Sequence, residues 1–245
     1  MTDSTLPARK KSAFLEKVKK ANGASVAQTR RTQKALGTAL NYERIPLLLF
    51  AMDATASREP AWAVAQQITS KMFEQIPAQL KVALAYHSGG RLRKITPYTD
   101  NARQFADTVH QVHCEAGLTA LNAILAKAAQ TRGLKALVYI GDCFEEDEQT
   151  AYDLARQLKL TGTKCFFFHD TSSAGSVWGI ADARTVFENI VAITGGAVLD
   201  FNDQAVQESG DLLQAVAVFA SAGKKALEHH KQALPGAQTL LGKLT

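Results

Sequence analysis

Residues 45–57 read IPLLLFAMDATAS. The segment 45–53 is a continuous apolar run with a polar end, the pattern of a strand buried on both faces. Directly after it, Asp53, Thr55 and Ser57 alternate with alanines, so a carboxylate and two hydroxyls follow the strand's carboxyl end. The rest of the chain repeats this strand-then-helix rhythm.

Ala61–Phe73 has helical spacing, and LKVALAYHS (80–88) is a second strand closed by Gly89-Gly90. RLRKITPY (91–98) reads as an edge strand, because Pro97 cannot donate to a ladder. Asn101 caps a helix running to about His113, and Leu121–Gln130 forms another. ALVYIGD (136–142) is a third core strand, Gln149–Leu160 a helix and KCFFFHD (164–170) a further strand, followed by the polar loop TSSAGSVWG. Ala183–Ile193 is helical and stops at Gly195-Gly196, since glycine tolerates positive φ. AVLDF (197–201) is a last strand and Leu212–His230 a closing helix. This alternation predicts an α/β fold: a doubly wound, mostly parallel six-stranded sheet with helices on both faces. It spans residues 44–230 as one domain, with a basic arm at 1–43, helical or partly disordered. A tail at 231–245 is expected to be loosely held once Pro235 and Gly236 release it.

The 245 residues are 46% hydrophobic and 21% charged, with a formal net charge of +5. That composition excludes collagen-like, wholly disordered and disulfide-scaffold proteins. Leu47–Met52 is a strand's length, far short of the roughly 20 apolar residues that cross a bilayer. The N-terminus is basic without an apolar core, so no cleaved secretory leader is expected. Three cysteines (Cys114, Cys143, Cys165) without framework spacing suit a reducing cytoplasm. Charge is uneven: residues 1–43 carry nine Lys or Arg against three acids, a net of +6, leaving −1 for the body. The arm fits a solvated helix pair better than a nucleic-acid platform, because no aromatic residue interleaves the basic ones.

Chemistry gathers at the strand ends. Asp53, Thr55 and Ser57 follow the first strand, Asp142 closes ALVYIGD, and Thr119 lies in a loop (Glu115 to Thr119) just before a helix. In an open doubly wound sheet these points share the carboxyl edge where ligands bind. Two carboxylates brought close repel one another until a cation neutralises them. An all-oxygen set with hydroxyls and water suits Mg²⁺ or Mn²⁺ rather than Zn²⁺. It leaves a position for an outside oxygen, most simply a partner's carboxylate.

FAMDATAS resembles the D-x-S/T-x-S motif of von Willebrand factor type A domains, which builds a metal-ion-dependent adhesion site. Thr119 matches that family's loop threonine and Asp142 the aspartate closing its fourth strand. IVAITGGAVLDF (190–201) is similar to its late helix, Thr-Gly-Gly turn and final strand. The likeness covers about residues 44–222. It implies Thr55 and Ser57 as direct hydroxyl ligands, Thr119 as a direct or water-borne one, and Asp53 and Asp142 acting mostly through water. It implies an intracellular protein-interaction module without enzymatic activity, holding a divalent cation that coordinates an acidic partner residue. In intracellular bacterial versions the neighbour is often a chaperone-like ATPase. Thr stands at position 55 where Ser is commoner, Cys143 follows the second aspartate where glycine is often found, and Arg58 after the pentad is expected to weaken the ion by repulsion.

Other readings stay open. Thr55 and Ser57 also suit helix caps. A Mg²⁺-dependent phosphohydrolase using Asp53 as nucleophile lacks an acid two residues on, where Thr55 stands. Nucleic-acid binding through the arm predicts steep salt dependence. His110 and His113 share a helix face but lack a second ligand pair at zinc spacing. Glu145–Glu148 read as a helix start favouring negative charge.

Overall fold

The computed structural model describes residues 45–74, 76, 78–170, 182–201 and 206–244. The basic arm and the polar loop containing Trp178 lie outside these residues.

Among the described residues six strands form one sheet: β1 (Leu47–Asp53), β2 (Lys81–Ser88), β3 (Arg91–Ile95), β4 (Leu134–Gly141), β5 (Lys164–Asp170) and β6 (Ala197–Phe201). Their order is β3-β2-β1-β4-β5-β6. Every neighbouring pair is parallel except β2 with β3. The helices are α1 (Glu59–Ile68), α2 (Ala102–His110), α3 (Leu121–Gln130), α4 (Glu148–Thr161), α5 (Ala183–Thr194), α6 (Val206–His230) and α7 (Pro235–Lys243).

The unbroken apolar runs are explained by two cores, one on each face of the sheet. Leu48, Phe50 and Met52 of β1 point to a core shared with α1, α2, α6 and α7. Leu49 and Ala51 point to the opposite core, built with α3, α4 and α5. Successive strand residues alternate faces, so a strand with helices on both sides has no solvent face for polar residues. Full burial of each Leu, Phe or Met contributes about 1.5–3 kcal/mol relative to exposure. This is a doubly wound α/β fold.

Several element ends lie a few residues from expectation, and two regions differ in kind. The first helix ends at Ile68 and tightens into a 3₁₀ segment over Thr69–Phe73; Ile68, Thr69 and Ser70 are weak helix formers. The C-terminal stretch is no loose tail: α7 starts with Pro235 in its first turn and buries Ala237 and Leu240, with Leu234 just ahead of it. Proline is favourable at a helix's first position, where its missing N–H is unneeded, so Pro235 opens this helix rather than releasing the chain. A Cβ on Gly236 would fall 2.3 Å from the Asp211 carbonyl oxygen, so α7 meets α6 backbone to backbone. α6 is itself interrupted at Gly223, where the backbone is non-helical.

The sheet's two edges are charged. β3 exposes Arg91, Arg93 and Lys94. On β6, exposed Asp200 is held by Arg184 at 2.8 Å and Lys243 at 3.3 Å. Among the described residues no helix is long and apolar enough to cross a membrane.

Candidate functional site

β1 and β4 are the neighbours at which the strand order reverses, and a crevice at their carboxyl ends is the ligand position of such sheets. Asp53 is the last residue of β1 and Asp142 follows the last residue of β4.

The pentad folds tightly. Asp53 Oδ1 accepts the Thr55 N–H at 2.8 Å, and Thr55 Oγ1 lies 3.3 Å from Ser57 Oγ. Trp62 Nε1 donates to the Asp53 carbonyl at 2.8 Å, fixing the strand end against α1. Thr55 stands at the start of the 3₁₀ turn Ala56–Arg58, yet its side chain makes no cap bond, and α1 lacks a side-chain cap as well. The capping alternative therefore does not describe these hydroxyls. Asp53 and Thr55 are buried, whereas Ser57 is exposed at the rim.

The loop carrying Thr119 is locked to the pentad through its backbone. Glu115 N–H donates to the Ala54 carbonyl at 2.9 Å, and Gly90 N–H donates to the Leu118 carbonyl at 2.8 Å. Gly117 has φ +150°, and a Cβ there would lie 2.2 Å from Gly89 Cα. Only glycine permits that approach. The Thr119 hydroxyl accepts the Glu145 N–H at 3.1 Å, so it engages the segment just after Asp142 rather than the pentad itself. Leu118 beside it is 59% exposed, one of two large hydrophobics among the described residues left in solvent.

Glu145 and Glu146 do something the sequence reading missed. Asp147 caps α4 by accepting the Thr150 N–H. Glu146 instead accepts the Leu121 and Asn122 N–H groups at 2.5 and 3.0 Å, and Glu145 accepts that of Thr119 at 3.0 Å. Together they cover the start of α3, which has no side-chain cap from its own N-cap residue.

The surroundings of two more residues are not legible in the sequence. Arg58, expected to weaken a bound ion by repulsion, is 2% exposed. Its Nη2 lies 3.1 Å from Asp142 Oδ2 and its Nη1 2.5 Å from Asp170 Oδ2. His87 is fully buried at the end of β2, in register with Asp53. Its Nε2 lies 2.9 Å from the Tyr139 hydroxyl, and its Nδ1, without a hydrogen-bond partner, is 3.8 Å from Asp53 Oδ1. Burial lowers the imidazole to about 4, so it is neutral near pH 7 and the approach to Asp53 is no ion pair. The one signal in the sequence was a histidine inside an otherwise apolar strand.

Burial, with the Asp142 charge adding to it, raises Asp53 to about 6 against the pull of the Thr55 N–H and Arg58. A carboxylate in that state gains from a nearby cation. Among the described residues, Arg58 faces Asp142 and Asp170, and Asp53 lies close enough to feel the charges of Asp142 and Arg58. Among the described residues no three His, Cys, Asp or Glu side chains are grouped to hold a metal, so any fit to a divalent ion such as Mg²⁺ rests on Asp53 together with the Thr55 and Ser57 hydroxyls. Burial and the Asp142 charge push the Cys143 thiol up to about 11, so without a metal it is protonated near pH 7.

The sequence matches no protein-family model and no curated protein. Solved structures do match. A von Willebrand factor type A protein from Catenulispora acidiphila is 12% identical over 72% of this chain, with TM-score 0.55. The SpRpn10 VWA domain is 10% identical over 68%, with TM-score 0.52. The vWF domain of the type V pili tip protein Mfa5 from Porphyromonas gingivalis is 9% identical over 73%, with TM-score 0.51. The match spans 95% and 97% of the last two, but only 42% of the Catenulispora protein.

Proposed function

We propose that this chain, whose body has the von Willebrand factor type A fold, is a protein-interaction module that binds an acidic residue of its partner through a divalent cation. The observation that carries the reading is the pair of Thr55 and Ser57 hydroxyls, 3.3 Å apart and uninvolved in helix capping, beside buried Asp53 at the strand-order reversal.

Thr55 and Ser57 would offer direct oxygens, while Asp53 and Asp142 would supply charge through water. Thr119 belongs to the outer ring, its hydroxyl engaged by Glu145. Mg²⁺ or Mn²⁺, when bound, supplies a Lewis-acidic position for a carboxylate from outside. Ser57 and Leu118, both exposed, supply the rim: a polar contact and an apolar one. Three free cysteines suit a reducing, cytoplasmic setting. A chaperone-like ATPase is the partner class we propose.

Titrating Mn²⁺ against wild type and Asp53→Ala tests the site, and equal affinity in both rejects it. Capture of the partner with and without chelator tests the role of the ion; capture that chelator leaves unchanged rejects that role.

A further inference from the structure

The Arg58 clamp deepens this reading and rests on it. A guanidinium is a planar fork that engages two carboxylates with two different nitrogens, whereas an ammonium is a point charge. Arg58 uses the fork: Nη2 toward Asp142, Nη1 toward Asp170. The two aspartates sit side by side because Gly141 of β4 pairs with His169 of β5, which brings the next residue of each strand to the same edge. Asp170 is 2% exposed and Asp142 11%, so Asp142 is the more accessible of the two anchors. Arg58 also closes the short 3₁₀ turn that begins at the pentad, one residue after Ser57. Its side chain and the hydroxyl donors therefore belong to one short turn.

We infer that Arg58 is a tethered counter-ion that competes with the divalent cation for Asp142, with Asp170 as the anchor it keeps when Asp142 is released. In this scheme the guanidinium's positive charge stands against Asp142 until an ion takes its place. Ion binding draws Asp142 from the fork, and Arg58 remains paired with Asp170, so no buried guanidinium is left without an anion. Long-range repulsion is a weaker account, since it predicts that any positive charge at position 58 acts alike. The clamp predicts that fork geometry matters.

Mn²⁺ affinity of the full chain, measured by calorimetry for wild type, Arg58→Lys, Arg58→Gln and Asp170→Asn, tests this, with circular dichroism reporting folding. Arg58→Gln is expected to bind about tenfold tighter and Arg58→Lys about threefold tighter, since the ammonium keeps the charge but loses the fork. Asp170→Asn, which takes one carboxylate from Arg58 and leaves the fork turned to Asp142, is expected to bind several-fold more weakly. Arg58→Lys equal to wild type, or Arg58→Gln equal or weaker while folded, overturns the clamp and leaves the metal reading standing. No binding by wild type or Arg58→Gln rejects the metal reading and the clamp together. Should both Arg58 variants fail to fold, Asp170→Asn decides: weaker binding supports the clamp, unchanged or tighter binding overturns it.

Discussion

His87 Nδ1 stands 3.8 Å from Asp53 Oδ1, and neither side chain is more than 1% exposed. The two groups pull stability in opposite directions as pH falls. Burial holds His87 near 4 against an ordinary 6.5, so its contribution is complete above pH 6.5 and is lost as pH falls toward 4. Asp53, raised from 3.8 to about 6, contributes fully below pH 3.8 and loses that contribution as pH rises through 6. Each amounts to about 3 kcal/mol by linkage, so they largely cancel.

In chelator, wild type should therefore show a shallower pH dependence than either single variant. His87→Gln, which removes the histidine's loss, should gain stability relative to wild type as pH drops from 7 to 4.5. Asp53→Asn should lose it over the same range. Urea midpoints at pH 7, 5.5 and 4.5 give the comparison; parallel curves for all three proteins contradict the coupling.

Much of this fold was legible in the sequence. β5 and β6 match the ranges read from KCFFFHD and AVLDF, and α3 matches Leu121–Gln130, because uninterrupted apolar runs and helical periodicity report burial directly. What stayed hidden was pairing between side chains far apart in the chain. Arg58 and Asp170 are separated by 112 positions, and nothing local to DATASRE says its arginine points inward. Glu145 and Glu146 likewise read as ornaments of the nearest helix, while they cap one that begins 24 residues or more earlier. α7 is hidden because Pro235 and Gly236 suit the end of a helix as readily as its first turn.

Gly117→Ala should be costly. The new Cβ meets the backbone of Gly89, which has no flexible end to yield, and φ +150° adds strain. A loss of about 2–3 kcal/mol is expected, with Mn²⁺ affinity reduced as the Thr119 loop shifts. Thermal unfolding and calorimetry measure both; a change under about 0.5 kcal/mol contradicts the close approach.

Leu240→Ala tests α7. The side chain is fully buried, so truncation should cost about 2–4 kcal/mol in urea unfolding. A loosely held tail would show almost no change.

Leu118→Ser and Leu160→Ser compare the two exposed leucines, 59% and 87% open to solvent. Both should leave stability within about 0.5 kcal/mol of wild type. Only the first, beside Thr119, should weaken partner capture in a pull-down. Equal effects would remove Leu118 from the rim.

The charged margins of the sheet bear on how the molecule meets others. An outermost strand with bare amides invites another chain to zip alongside it, and lysine or arginine on that strand discourages such growth. β3 carries three cationic residues, and at the opposite border Asp200 is gripped by side chains from α5 and α7. Among the described residues, lateral fibril-like stacking is thereby disfavoured on both flanks, a constraint that leaves the strand ends, rather than the strand sides, open to a neighbour.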